Sequence, residues 1–518
     1  MNFALPFVGK VGLMRQRGPR SSNQHSRVAT GVAIATSGFL LIGCGQIGSL
    51  GGGSGSSQAV NISVDISNSG SNINQGLLGV DGPGPDGATQ PLASLGLKFD
   101  RTDVGFQGSY NCSNGTWDSS SLDSRVAQIG RENSTPLLIV DYSPSCLAAS
   151  GPSLLSSQYA PPDQGPDQAI WKALVTEMAY HEITAEGVRY FEVWNEPDGL
   201  FWSGGLAGYE QLYLDTATAL QSAASKAGVT INIGGPALAN ITGSMDTLFL
   251  DPFLSYVSSH NLPMDFLSWH VYADYPLFGP IGPIPMPPSW MPITWYNPAL
   301  SSSTFTDQAN SAESALAAYP DLHPILVIDE WNVDAGYDPR QANSYAAAFA
   351  VSVLEKAQDS KIANMVFFDV NDSPNDPRAN WGLLDSNLNP KPVYNAFMFW
   401  HEMATTQVAS TVSNDSDGNV GVIASKSANG KITVLCYNFK GYDLMGNYGT
   451  SDPTPYDHQI NLDISGLGSG SYSFTRVGID ASHNGTQLGQ GSMSASNNVI
   501  AFNLPGQSVD FVTLTPTS

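Results

Sequence analysis

Two apolar segments of this 518-residue chain run straight into a glutamate. Residues 190–194, YFEVW, are bulky and strand-favouring, and they stop at Asn195-Glu196-Pro197. Residues 325–328, ILVI, lead in the same way into Asp329-Glu330. A carboxylate at the end of a buried strand has several readings: a helix-start acid beside a proline, one half of a salt bridge, a metal ligand, or a proton carrier. Two such carboxylates brought together would suit glycosidic bond hydrolysis. One protonates the leaving oxygen while the other attacks the sugar or activates water, and a separation of roughly 5–5.5 Å goes with retention of configuration. Like charges that close cannot both ionise cheaply, so one keeps its proton near neutral pH. Metal chemistry has less support. No Cys/His spacing resembles a zinc site, and His181-Glu182 lacks a second histidine four residues on, so no metal or organic cofactor is implied.

What would bring the two glutamates together is the pattern around them. Strand-like runs recur at 74–81, 97–104, 136–142, 189–195, 230–237, 264–272, 324–332 and 364–372. Helix-patterned stretches lie between them, such as 209–228, where Tyr209, Leu212, Tyr213, Leu220 and Ala223 share a face with Thr216 and Gly228 supplies a stop. Eight strands, each followed by a helix or long loop, predict an α/β fold, a (β/α)8 TIM barrel over residues 73–404. An open doubly wound sheet is the alternative, but a Gly-rich phosphate turn after the first strand is missing. In a barrel, Glu196 ends strand four and Glu330 ends strand seven, at the rim where catalytic groups sit.

From 405 to 518 helical patterning disappears, and short strands recur between Gly, Asn and Asp turns, which predicts an appended C-terminal β-sandwich. The early strand within 59–72 is expected to join it. The sandwich reads as a packing partner for the barrel, with carbohydrate binding as the other reading. Cys112 and Cys146 both sit in Ser/Pro/Gly-rich loops where a disulfide is permitted, and Cys436 lies within an apolar strand as a free thiol.

The stretches FEVWNEPDG (191–199), IGGPA (233–237), SWHVY (268–272), IDEWN (328–332) and NPKPVYNAF (389–397) resemble glycoside hydrolase family 39, of the clan of retaining (β/α)8 glycosidases. That resemblance implies Glu196 as general acid/base and Glu330 as nucleophile, with Asn195 on the sugar 2-hydroxyl. It places His270 and Tyr272 in the same subsite, Tyr272 also hydrogen-bonded to Glu330. It implies a β-linked xyloside or related pentoside as substrate. Trp202, Trp269, Trp331 and Trp381 lie near the rim in sequence, where an aromatic ring could stack on a sugar face. Two departures bear on the sugar and not on the mechanism. The family's β-xylosidases show Arg where this chain has Trp269, and a Trp near the strand-eight end where it has Phe368 and Asp369, so Asp369 or Asn371 would meet a different sugar. The proline-rich run 276–299, with Trp290 and Trp295, is a further local feature that could wall a subsite. Two other functions fit the same residues: an endo-acting exopolysaccharide glycosidase, and a sugar-binding surface lipoprotein without turnover. The presence of both glutamates favours catalysis.

Composition fixes the setting. Charged residues are 13% of the chain, about half the usual ~25%, and Lys plus Arg number 21 against 45 for Asp plus Glu. Such an acidic surface repels phosphate backbones, which excludes nucleic acid as a partner and leaves an oligo- or polysaccharide. So few charges also suit acidic surroundings. The basic residues Lys10, Arg15, Arg17, Arg20 and Arg27, with no acid among them, precede an apolar run ending in Leu41-Ile42-Gly43-Cys44. That is the layout of a signal peptide, and its end resembles the bacterial lipobox, which implies cleavage before Cys44 and lipidation of its thiol. Residues 1–44 are then a leader and 45–58 a flexible Gly/Ser tether. The expected location is outside the cytoplasm, at the cell envelope, touching membrane only through the lipid.

Overall fold

The computed structural model describes residues 59–149, 157–160, 162, 166–199, 201–241, 246–274, 301–334, 339–375, 380–441 and 457–517. Cys44, the leader, the tether and the proline-rich run 276–299 lie outside them. Eight parallel strands close into a barrel. They are β1 (Gly79–Asp81), β2 (Phe99–Asp103), β3 (Thr135–Val140), β4 (Tyr190–Val193), β5 (Asn232–Leu238), β6 (Phe266–Asp274), β7 (Ile325–Asp334) and β8 (Ile362–Phe367). Closure runs through Phe367 of β8 beside Val80 of β1. Each of the eight strand-like runs of the sequence contributes one stave.

The strand period of two decides what faces the barrel axis. Phe99, Leu137, Phe266, Val327 and Val366, with Tyr190, form an apolar cluster of their own, separate from the larger cluster between strands and helices. This is the barrel floor. Two residues further along the same strands come Arg101, Glu192, Ser268 and Asp329, all buried. A further step on β6 gives His270, then Tyr272. Gly234 of β5 is required here, because a Cβ at that position would lie 2.4 Å from the Phe266 ring.

One irregularity breaks the alternation. Opposite β6, Ile328 pairs with Trp269 and Glu330 with His270, so β7 advances two residues where β6 advances one. This β-bulge at Asp329 aims two consecutive carboxylates, Asp329 and Glu330, at the barrel axis. Trp331 is thereby turned outward.

Helices cover the outside. In Gly205–Ala227 the stripe Tyr209, Leu212, Tyr213, Thr216, Leu220 and Ala223 is buried, and Gly228 ends the helix in the left-handed region at φ 69°. The polar member of that stripe, Thr216, accepts a hydrogen bond from Trp171 Nε1 at 3.0 Å. No helix among the described residues is long and apolar enough to cross a membrane.

The C-terminal strands belong to a nine-stranded sheet. The early strand Val60–Asn72 lies inside it, antiparallel to Thr406–Ser413 and parallel to His458–Ser465, so both ends of the described chain meet there. The sheet folds over a core of its own that includes Ile62, Val434, Cys436, Leu462 and Val512, and Asn438 Nδ2 reaches across it to Leu504 O at 3.4 Å. Its other face packs on the barrel helices Ser344–Gln358 and Pro392–His401. Phe399 stacks on Phe511 at 5.2 Å, and Tyr437 donates to Glu355 at 3.2 Å. Cys112 and Cys146 are joined in a disulfide, and Cys436 is a buried free thiol.

Candidate active site

The segment after β4 leaves the barrel through an unusual backbone. Trp194 and Glu196 both have positive φ, 70° and 45°. That region costs a residue with a Cβ roughly 1–3 kcal/mol and persists only where surroundings enforce it. The enforcement is visible. Tyr209 OH donates to Val193 O at 2.8 Å, Trp194 Nε1 to Phe201 O at 2.9 Å, and Glu196 N to Ala237 O at 3.0 Å. Glu196 is thus held over the barrel mouth by β5 and the first turns of the following helix.

Glu196 and Glu330 meet there. A carboxylate oxygen of each and a ring nitrogen of His270 all lie within 4.8 Å of one another. His270 Nδ1 donates to Glu196 Oε1 at 2.9 Å, and its Nε2 stands 3.6 Å from both Asp329 Oδ2 and Glu330 Oε2. Tyr272 donates its hydroxyl proton to Glu330 Oε1 in a short contact. Each glutamate remains slightly open to solvent, with 13% and 14% of its side chain exposed, while His270 has none.

Beneath them sits a residue that the sequence reading missed. Arg101 donates Nε to Glu192 at 2.7 Å, Nη1 to Asp81 at 2.8 Å and Glu330 at 3.3 Å, and Nη2 to Asn195 Oδ1 at 2.8 Å. Its Nη2 is also 3.3 Å from Asp329. Asn195 in turn donates Nδ2 to Tyr142 OH at 3.2 Å, and Glu192 accepts from Ser268 Oγ at 2.6 Å. One guanidinium therefore fixes the position of groups from β1, β4 and β7. A readable sign of it was the charge inside a strand, in phase with the inward Phe99, in a chain with few charges.

Burial and charge divide the protons among these groups. Burial raises Asp81 to about 7, with Arg101 opposing and Glu330 adding to the rise. Burial likewise raises Glu192 to about 8 against the pull of Arg101. Asp329 is lowered, because Arg101 and His270 outweigh its burial. Burial alone would lower His270, but Glu330, Asp329 and Glu196 overcome it and hold the imidazolium well above the usual histidine range. Glu330 is raised by burial, with His270, Arg101 and the Tyr272 hydroxyl pulling it back. Tyr272 is pushed well above the ordinary phenol range by burial and by Glu330, so it is a donor at any working pH.

The remaining candidates divide. Asp369 lies just past β8, its N–H on Trp381 O at 3.3 Å, and its Oδ1 is sealed from solvent without a hydrogen-bond partner. Burial, then the nearby Asp81, raise its carboxyl well above the usual range. The half-buried Trp381 ring packs at 5.6 Å from Phe368 beside it. Trp202 and Trp331 are corrected: neither faces the cleft. Trp331 is fully buried on the outer side of β7 among Phe305, Phe367 and Phe397, where the bulge turned it. Trp202 is 6% exposed and wedged between Trp194 and Tyr209, its Nε1 on Gly205 O at 2.8 Å. Trp269 is also fully buried, on the outward face of β6.

A model of the glycosyl hydrolases family 39 matches residues 116–470. Solved structures share the fold at low identity. A monomeric β-xylosidase from Caulobacter crescentus superposes with a TM-score of 0.72 at 17% identity, over 88% of this chain and 100% of that one. A family 39 enzyme from Xanthomonas axonopodis pv. citri gives 0.69 at 19% identity, over 88% and 97%. A glucosidase from Croceicoccus marinus gives 0.66 at 16%, over 89% and 100%.

Proposed function

From the premise that this chain belongs to glycosyl hydrolases family 39 and is a glycoside hydrolase, we propose that it cleaves β-linked glycosides, of xylose or a related pentose, with retention by a two-carboxylate double displacement. The single observation that carries this reading is the approach of Glu196 and Glu330 to within 4.8 Å. Carboxylate oxygens that close favour the retaining arrangement, roughly 5–5.5 Å between the carboxyl groups, over the wider inverting one.

In the first step Glu196 gives its proton to the glycosidic oxygen as the C1–O bond breaks, and a Glu330 oxygen bonds to C1. In the second, Glu196 as carboxylate takes a proton from water. The water oxygen bonds to C1, and Glu330 leaves as carboxylate. The surrounding charges support this division. Arg101 and His270, both held as cations, face Asp329 and Glu330, and burial works against a further negative charge in the cluster. Asn195, fixed by Arg101, would hold the 2-hydroxyl, where a hydrogen bond strengthens in the transition state. His270 and Tyr272 line the β6 side, and Asp369 and Trp381 the β8 side.

The test uses azide with two variants and an activated aryl glycoside. Glu330→Ala should be rescued as the inverted glycosyl azide, and Glu196→Ala as the retained one. Rescue of neither variant, or the opposite stereochemistry, refutes the assignment. The lipobox-like end of the leader supports a proposed export and envelope anchoring through Cys44. Cys44→Ala should then abolish metabolic fatty-acid labelling, and equal labelling of both proteins would refute it.

A further inference from the structure

His181 and Glu182 lack the second histidine of a metalloprotease helix, but the fold supplies a third ligand from elsewhere. Asp123, in the first turn of helix Ser120–Arg131, stands with its Oδ1 at 2.9 Å from His181 Nε2. His181 ends helix Pro166–His181, which widens into a π-turn over Glu182–Glu186. One atom each of Asp123, His181 and Glu182 lie within 4.8 Å of one another. Four zinc-type ligands around one ion stand about 3.3 Å apart, so only small side-chain shifts separate this trio from a ligand set.

An independent observation concerns Glu182. It is fully buried, yet neither of its carboxylate oxygens has a hydrogen-bond partner. A buried carboxylate without a donor is costly, and a proton or a cation must fill the gap. Arg125 is the opposing cation nearby. Its guanidinium is committed to Asp103 O at 2.7 Å and Ser121 Oγ at 2.9 Å.

Supporting contacts orient the ligands as metal sites require. Ser119 Oγ donates to Asp123 Oδ2 at 2.9 Å, which leaves Oδ1 facing the histidine. Trp117 sets its ring edge-on to His181 at 5.8 Å. Asp123 and His181 are about one-third exposed, so an ion can enter from solvent while Glu182 waits on the buried side.

We propose that Asp123, His181 and Glu182 form a site for a divalent transition metal of the zinc class, which clips helix Ser120–Arg131 to the end of helix Pro166–His181. One imidazole and two carboxylates, with water completing the shell, suit zinc or cobalt. Calcium takes six to eight oxygens and magnesium an oxygen octahedron, neither of which this trio provides. The site stands on two helices that carry neither Glu196 nor Glu330, and the proposal is independent of the reaction assigned to those glutamates.

The test is a thermal melt of the whole protein with zinc, cobalt, magnesium or calcium, together with the visible absorbance of the cobalt form. Zinc at a hundredfold excess over its dissociation constant should raise Tm by roughly 3–6 °C, magnesium and calcium should not, and EDTA should reverse the shift. Glu182→Gln, which keeps shape and removes charge, and His181→Ala should each bind at least tenfold more weakly. His270→Ala, which disables the catalytic trio instead, should keep the shift. No zinc shift and no cobalt absorbance would overturn the proposal, as would an equal shift in Glu182→Gln and wild type. If His181→Ala does not fold, the Glu182→Gln and Asp123→Asn cobalt spectra carry the decision.

Discussion

Tyr272→Phe removes one hydroxyl from the catalytic cluster and leaves its packing in place. That hydroxyl donates to Glu330 Oε1 and is one of three groups that oppose the effect of burial on Glu330. A hydrogen bond to a charged group is worth about 1.5–3 kcal/mol. At 1.36 kcal/mol per unit, its loss raises the Glu330 pKa by roughly 1–2 units. As the proposed nucleophile Glu330 would attack only as carboxylate, so kcat/KM should fall as pH drops through its pKa in the free enzyme. The acid limb of the variant's profile should therefore move to higher pH by the same 1–2 units. On the acid side, the rate should fall about 10- to 100-fold below wild type, with much of the loss recovered at higher pH. The assay is kcat/KM from acid to alkaline pH on the best aryl glycoside, with Tm measured alongside to exclude unfolding. A limb that stays in place, or moves to lower pH, would show that Tyr272 does not help to keep Glu330 ionised.

Stability should fall between pH 5 and pH 8. Glu192 and Glu182, at about 8, and Asp81 and Asp198, at about 7, hold protons in the folded state that the unfolded chain releases near pH 4. Each such carboxyl lowers stability as pH rises from its unfolded to its folded pKa, and each net proton held is worth about 1.4 kcal/mol per pH unit. Carboxylates held low, such as Asp329 and Asp480, contribute in the opposite direction only in more acidic solution. A Tm that is flat or rises from pH 5 to 8 would refute this balance. Removing the Cys112–Cys146 bond, which spans 34 residues, should cost roughly 3–4 kcal/mol in the chain-entropy picture. Cys112→Ser with Cys146→Ser should then melt several degrees lower, and an unchanged Tm would place the stability of this loop elsewhere.

The staves of the barrel were legible because each is a short apolar-rich run bounded by polar or turn-forming residues, and all eight runs became strands. Glu196 and Glu330 were legible for a related reason: an ionisable group directly after an apolar strand has to be at a rim or in a pair. Trp331 and Trp202 were not. Proximity to the rim in sequence says nothing about which face a side chain takes, and that depends on strand parity. On β6 the parity holds, so Ser268, His270 and Tyr272 share the inner face while Trp269 and Val271 point outward. On β7 the bulge resets it after Asp329. Nothing in the letters IDEWN announces an extra residue; it is defined only by the neighbouring strand.

Arg101 marks a different limit. A strand pattern can say that it faces inward, but only the assembled barrel says that carboxylates from β1, β4 and β7 converge on it. The dependence runs both ways. A guanidinium with no solvent exposure is tolerable only where opposite charge surrounds it, and Asp329 is depressed chiefly because Arg101 is there. The Glu196–Glu330 pair thus stands on a three-tier interior. Phe99, Leu137, Phe266, Val327 and Val366 form an apolar floor, Arg101 with Glu192 and Asp329 a polar middle, and His270, Tyr272 and Glu330 the rim. The apolar floor gives the Arg101–Asp329 pair a low-dielectric side, so its attraction is screened less than it would be in solvent. Each tier lies one strand period above the last, so the bulge on β7 is what lets Asp329 close the middle tier and Glu330 reach the rim from the same strand.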